Sequence, residues 1–159
     1  MKTEPALESL TRLVGSWTTE ATHPAFPGLV VHGTVEISWL EGERFLIHRA
    51  TTDHADFPDS ISIIGHMERD RVDPARRTTA SDGAPPLSMH YFDSRGVFRE
   101  YKVSMDGAEW RIWREAPGFS QRFTGTLSDA GDTVVGRWDL RKEDETWVGD
   151  LAITYRRLR

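Results

Sequence analysis

Leu13-Val14-Gly15-Ser16-Trp17 is the stretch at which the hydrophobic period of this chain changes, and that change decides the fold. Before it, Ala6, Leu7, Leu10, Leu13 and Val14 recur at helical spacing. Thr3 stands where an N-cap belongs and Pro5 is tolerated in a first turn, so a short helix is expected over residues 5–14. After it the period is two. Val31, Gly33, Val35, Ile37 and Trp39 alternate with His32, Thr34, Glu36 and Ser38, the pattern of a sheet buried on one face and wet on the other. The alternation returns in Ile61, Ile63, Gly65, Met67, in Phe119, Gln121, Phe123, Gly125, Leu127, in Val134, Gly136, Trp138, Leu140, and in Trp147, Gly149, Leu151, Ile153, Tyr155.

Segments of this kind number about ten, joined by short turns bearing Gly or Asp, which reads as an all-antiparallel barrel or sandwich. Glycines expected on the inward face, Gly33, Gly65, Gly125, Gly136 and Gly149, favour the barrel, because sharply coiled strands need them at corners. The reading is therefore all-β: an up-and-down antiparallel barrel behind a short N-terminal helix, in one domain spanning residues 1–159. Residues 70–86 break the rhythm with prolines and mixed charges and are expected to form a long loop, either a lid or a plain insertion.

Composition removes several classes of function. A net charge of -5 offers no global field for phosphate backbones or anionic lipid, so neither nucleic acid nor a membrane is an expected partner. With no cysteine there is no disulfide framework, thiol nucleophile or thiolate metal site. The first residues lack an apolar signal core, and no apolar run approaches the roughly 18 residues that span a bilayer. A soluble, cytoplasmic protein is the expectation.

Turn chemistry predicts which side chains face inward. Asp106-Gly107 fits a two-residue hairpin turn that sets Met105 opposite Ala108, and then Val103 opposite Trp110, Tyr101 opposite Ile112 and Arg99 opposite Arg114. Ser94-Arg95-Gly96 fits a three-residue turn pairing Asp93 with Val97, Tyr91 with Arg99 and Met89 with Tyr101. The same turn at Leu40-Glu41-Gly42 pairs Ile37 with Phe45 and Gly33 with Arg49, placing Arg49 inside and His48 outside; a two-residue Glu41-Gly42 turn reverses that facing. The expected cavity is lined by Trp39, Tyr91, Tyr101, Trp110, Phe123 and Trp138, with Arg49, Arg99, Arg114 and Gln121 as its polar cluster. Guanidinium groups inside a barrel call for a carboxylate or other anion, which they pair bidentately. The alternative is that the arginines pair with loop carboxylates at the rim and the aromatics fill a core.

His23, His32, His48, His54, His66 and His90 show no metal-ligand spacing, and His32, His66 and His90 fall on the outward parity. No metal site is expected. Asp53, Asp56 and Asp59 around His54 could form an acid/base cluster, although turn chemistry accounts for them.

Gly15-Ser16-Trp17 together with Tyr155-Arg156-Arg157 resembles the signature of the calycin barrels, in which the Trp plugs one end and a late Arg packs over its indole. Most of the chain is similar to bacterial calycin-like families that stand close to nitrobindin, a haem-binding ten-stranded barrel. The matching pieces are Leu13 to Trp17, Phe45-Leu46-Ile47 with Thr51, Ile61 to Gly65, His90 to Val97 and Phe119 to Thr126. The resemblance implies the calycin-like barrel fold at family level and any activity only at superfamily level. Nitrobindin's iron-bearing histidine near the C-terminus has no counterpart after His90, and Thr19-Glu20-Ala21-Thr22-His23-Pro24 stands where its haem-edge segment belongs, so haem is not expected. Arg99-Glu100-Tyr101 resembles the Arg-x-Tyr carboxylate clamp of the fatty-acid-binding branch. A binding module for a small, partly apolar, carboxylate-bearing ligand is the leading expectation. The alternatives are a cyclase or isomerase assisted by Tyr91, Tyr101 and an arginine, or a filled structural barrel, including a homodimer.

Overall fold

In a computed structural model of the chain, which describes residues 5–66, 87–143 and 145–159, one helical turn, α1 (Pro5–Glu8), runs into a 3-10 segment (Ser9–Leu13). Ten strands follow: β1 (Gly15–Thr22), β2 (Val31–Trp39), β3 (Phe45–Thr52), β4 (Ser60–Gly65), β5 (Leu87–Asp93), β6 (Phe98–Asp106), β7 (Glu109–Arg114), β8 (Ser120–Leu127), β9 (Thr133–Arg141) and β10 (Val148–Arg157). Each pairs antiparallel with its neighbours in sequence, and β10 returns to β1, closing the barrel and leaving it no free outer strand. Among the described residues no helix is long and apolar enough to cross a membrane. The expected Thr3 cap, Met67 and the loop over residues 70–86 lie outside the described residues. The strand ends that flank that loop, Gly65 and Leu87, lie at the Trp17 end of the barrel.

That end is solid. Leu7, Leu10 and Leu13 are each at most 2% exposed and pack beneath Trp17, whose indole Nε1 donates to the Leu13 carbonyl at 2.9 Å. Their spacing is three, the period at which 3-10 side chains eclipse, which accounts for the expected α-helix tightening after one turn. The Arg157 guanidinium lies 4.2 Å from the centre of the Trp17 ring and donates to the carbonyls of Gly131 (2.9 Å), Val14 (2.7 Å) and Arg12. It thereby ties the last strand to the lead-in and to the β8–β9 turn. Gly15 takes a φ of 142°, and a Cβ there would come within 2.5 Å of the Arg157 Nη1, so only glycine lets the two ends meet.

Three turns set the facing of the strands. Around Ser94-Arg95-Gly96 the expected register holds, with Tyr91 opposite Arg99 and Met89 opposite Tyr101. The β6–β7 turn sits one residue later than expected: Asp106 pairs with Glu109, leaving Gly107 (φ 59°) and Ala108 as the turn residues. The register moves by two, so Trp110 faces Met105 and Ile112 faces Val103, but the parity is kept and the same side chains point inward. Arg99 consequently does not face Arg114.

The β2–β3 loop corrects the expectation for Arg49. It holds five residues, Leu40 to Arg44, because both Gly42 (φ 92°) and Glu43 (φ 55°) adopt the left-handed region and lengthen the turn. Ile37 therefore pairs with His48, which enters the barrel, while Arg49 points outward and is exposed. The inversion passes to β4, where Ser60, Ser62 and Ile64 share the inner face in place of Ile61, Ile63 and Gly65. Gly65 lies outside beneath the Phe45 ring, and a bulge between Gly149 and Leu151 puts Gly149 opposite Asp139 on the outer face. Gly33, Gly125 and Gly136 face inward as expected. The Phe123 ring lies across the last two, where added Cβ atoms would meet it at 2.8 and 2.4 Å.

Arg157→Ala removes three carbonyl partners and a cation–π contact and is expected to destabilise the barrel by roughly 2–4 kcal/mol in urea unfolding. Gly15→Ala should be destabilising as well, whereas Gly149→Ala, with nothing within 4 Å, should be near neutral. Equal effects of the two glycine substitutions would contradict this description of the closure.

Candidate functional site

The inner face divides into two halves. Toward the Trp17 end, Leu46, Ile64, Leu87, Val103, Trp110, Leu127 and Val134 are all at most 3% exposed and pack as one core. Toward the opposite end, Ala50, Tyr91, Arg99, Arg114, Trp138 and Ile153 share the inner parity yet remain half-buried. A barrel filled along its whole length would bury both sets alike.

Beside the second set the barrel wall opens. The β6–β7 ladder ends at Lys102 opposite Trp113, while β6 extends on to Phe98 and β7 stops at Arg114. The resulting cleft, about 390 Å³, lies in the barrel wall: Arg99, Tyr101 and Arg114 line it from the inner parity and Ser88, Phe98, Glu100, Lys102 and Trp113 from the outer, with Glu115 and Ala116. The Tyr101 hydroxyl donates to the Gln121 Oε1 at 2.7 Å, and its ring meets Tyr91 at 6.1 Å and Trp138 at 5.9 Å edge to face. Phe123 continues the aromatic wall 5.3 Å from Trp138. The Arg99 guanidinium lies 5.3 Å from the Phe119 ring, and the Arg114 Nε donates to the Phe119 carbonyl at 3.5 Å. Among the described residues neither guanidinium meets a carboxylate.

The two tyrosines differ in what holds them. The Tyr91 hydroxyl is taken by Asp93 at 2.8 Å; the Asp93 side chain, fully out of solvent, also accepts from the Arg95 guanidinium at 2.7 Å and from the backbone N–H of Arg95 and Val97. Burial works to raise the Asp93 carboxyl, but these four donors hold it well below the usual carboxylate range. Burial, then Asp93, pushes the Tyr91 phenol up. Burial also raises Tyr101, against the pull of Arg99 and Arg114. Both phenols are neutral donors at physiological pH.

Of the residues expected at the site, Tyr91, Arg99, Tyr101, Arg114, Gln121, Phe123 and Trp138 come together. Three do not. Arg49 is outside for the reason given above; Trp39 lies toward the closed end, two positions beyond the Gly15–Ile37 pair; and Trp110 sits deeper, packed on Phe123 (5.0 Å) and Tyr155 (5.7 Å). Sequence reasoning missed Asp93, although its place before a tight turn signals side-chain to backbone bonding, and it missed His48, whose facing depended on the length of one loop. Among the described residues no three His, Asp or Glu side chains gather into a metal-holding group.

His48 lies deep in the barrel, and burial pulls its pKa from 6.5 to about 4. A group depressed in the folded state binds its proton more readily when unfolded, so stability is lost as pH falls below 6.5 and the loss is complete near 4, about 3 kcal/mol in all. His48→Phe should flatten the stability profile across that window in urea unfolding; an unchanged slope would show that His48 is not buried neutral.

No family model matches the chain, and no curated protein matches it in sequence. Solved structures do match in fold. Rv2717c from M. tuberculosis is 15% identical, covering 99% of this chain and 100% of that one with a TM-score of 0.66. The S-type phycobiliprotein lyase CPES from Guillardia theta is 10% identical over 97% and 93% of the two chains, TM-score 0.55. Zebrafish ileal bile acid-binding protein, solved with cholic acid, is 12% identical over 93% and 100%, TM-score 0.50. In fold the chain is a closed, ten-stranded, calycin-like barrel.

Proposed function

We propose that the open half of this barrel binds a small, partly apolar ligand through its carboxylate, and that Arg99 and Arg114 are the groups that hold it, with Tyr101 and Gln121 beside them. The observation that carries the reading is the pair of inner-face guanidiniums at one cleft with no carboxylate partner among the described residues. Several arginines on the outer face are paired with carboxylates, Arg95 with Asp93, Arg111 with Glu109, and Arg122 and Arg137 with Asp139. Leaving two cations half-buried and unpaired costs free energy that an anionic ligand recovers. The apolar part of the ligand would lie on Trp138, Tyr91 and Phe123. Among structures of similar fold, one is a bile acid-binding protein solved in complex with cholic acid, and another is a phycobiliprotein lyase, which supports a small-molecule role for the shape. In this reading the protein is a cytoplasmic carrier or sensor that works without haem and has no nucleic-acid or membrane partner; the acidic net charge and the lack of any histidine after His90 support it.

Decanoate should bind the wild-type protein and its methyl ester should bind at least tenfold more weakly, as read by calorimetry. Arg99→Ala should cost the acid about 10- to 100-fold while leaving the unfolding midpoint in place. Equal affinity for acid and ester would overturn the reading.

A further inference from the structure

The sheet closes on itself, yet one stretch of strand edge within it is left unpaired. Around the two-residue turn of the β6–β7 hairpin Asp106 pairs with Glu109, and bonded pairs then alternate, so Ser104 and Lys102 also turn their backbone N–H and C=O groups toward β7. The same alternation turns those of Glu100 and Phe98 that way, while the Asp93 N–H donating to the Val97 carbonyl at 3.0 Å sets Arg99 and Tyr101 toward β5. No backbone meets them there. The ladder stops at Lys102 opposite Trp113, and among the described residues neither Phe98 nor Glu100 bonds to the segment beyond Arg114. The N–H and C=O groups of both residues are thus open along about 13 Å of strand edge, four residues at ~3.3 Å each.

The sequence explains the stop. Continued in register, the hairpin would set Glu100 opposite Glu115 and Phe98 opposite Pro117. The first pair puts like charges side by side, and the second offers no N–H. Instead Pro117 and Gly118 (φ 83°) form a turn closed by the Phe119 N–H on the Ala116 carbonyl at 3.2 Å, and the Ala116 N–H donates to the Ser120 hydroxyl at 3.2 Å. The chain leaves toward β8, and the cleft of about 390 Å³ opens in the wall between β6 and this turn. A molecule lying flat on the outer surface would meet outer side chains only. This slot is bordered by consecutive residues of β6, Phe98 to Lys102, inner and outer alike, as the place of a missing strand would be. An open edge of that kind is a template for an added strand.

Resting on the carboxylate reading above, we propose that the seam binds the C-terminal end of an extended peptide, which adds to the free edge of β6 as a short parallel strand and brings its terminal carboxylate to Arg99 and Arg114. Charge sets the direction. At the closed end of the seam Arg114 stands on the inner side and Lys102 on the outer, with Arg99 one inner position nearer the rim. Glu100, 3.2 Å from the His90 Nε2, and Glu115 stand on the outer side beyond them. A chain running with β6 meets the cations with its carboxylate, whereas one running against it would bring an ammonium there. In the parallel setting the last residue donates its N–H to the Phe98 carbonyl, and its carboxylate accepts from the Glu100 N–H within reach of the guanidiniums. Its side chain then points inward beside Arg99, and that of the preceding residue points outward beside the exposed Phe98 ring. A plain fatty acid satisfies the guanidiniums alone; only a peptide backbone also matches the donors and acceptors of the edge.

The probe is acetyl-Ala-Phe-Leu with a free C-terminus, compared on the full chain with its C-terminal amide, with the analogue methylated at the leucine nitrogen, and with decanoate. Affinities are read by calorimetry and the backbone N–H of Glu100 by hydrogen exchange in NMR. The free acid should bind at least tenfold more tightly than the amide, and at least tenfold more tightly than the N-methyl analogue, which keeps the charge and both side chains but cannot donate to Phe98. Its binding should slow exchange at Glu100 at least tenfold, and Arg99→Ala should weaken the peptide and decanoate by the same factor. Equal affinity of the acid and its N-methyl analogue, with both still sensitive to Arg99, would overturn the added strand and leave the carboxylate reading standing. So would Arg99-dependent binding of decanoate by a protein that takes none of the peptides. If acid and amide bind alike, capture of the terminus is overturned, and the carboxylate reading falls with it unless decanoate still binds through Arg99. Failure of every probe to bind overturns both. The wild-type comparisons do not depend on any variant folding.

Discussion

Closure of the barrel at Trp17 is the constraint from which the rest of the structure follows. A sheet of ten strands gains from burying its inner face only if first and last strands meet, and here that contact is reinforced by Arg157, which stacks on the indole and reaches the carbonyls of Arg12, Val14 and Gly131. The three leucines of the lead-in seal the floor beneath it. With one end filled by large side chains, the polar residues carried on the same strands collect at the other. The division into a solid half and a lined half is thus a consequence of where the plug sits, and it places the accessible interior around Tyr91, Arg99, Arg114 and Trp138.

Arginine serves two physical roles on this barrel, and composition cannot separate them. Outside, Arg122 and Arg137 clamp Asp139 at 3.2 and 3.3 Å, and Arg122 and Arg141 enclose Trp147 at 4.2 and 5.0 Å. These contacts staple neighbouring strands and the β9–β10 connection. Inside, Arg99 and Arg114 rest on Phe119, one through its ring and one through its carbonyl, with no carboxylate from the described residues to neutralise them. Glu and Asp outnumber Lys and Arg in the chain by 25 to 20, so the lack of a partner for these two is a matter of placement.

The alternation of apolar residues made the strands legible, and the Gly15-Ser16-Trp17 corner with Arg157 made their closure legible, because both are short-range patterns with a direct geometric meaning. Facing was harder. Where a turn carries its own signature, as at Asp93 to Gly96, the register of Tyr91 and Arg99 could be counted out from it. At Asp106-Gly107 the turn slid by one residue yet preserved parity, so the inward set survived while the opposition of Arg99 and Arg114 did not. The loop from Leu40 to Arg44 holds a glutamate at φ 55°, a conformation that sequence preference argues against, and the one-residue change in parity exchanged Arg49 for His48. The error continued into β4 for the same reason. Register in a barrel is set by loop lengths as much as by hydrophobic pattern, and the weakest turn signal limits what can be read.

The central claim is that a ligand carboxylate meets two unpaired guanidiniums in a partly dry site. Its most direct test is the ionisation of that carboxylate itself, followed by carbon NMR of carboxyl-labelled decanoate bound to the wild-type protein over a pH titration. Guanidiniums within hydrogen-bonding reach stabilise the anion, so the bound acid should titrate at least one unit below the free acid. A midpoint unmoved or raised would mean that the carboxyl lies in water or in an apolar wall, and would contradict the account.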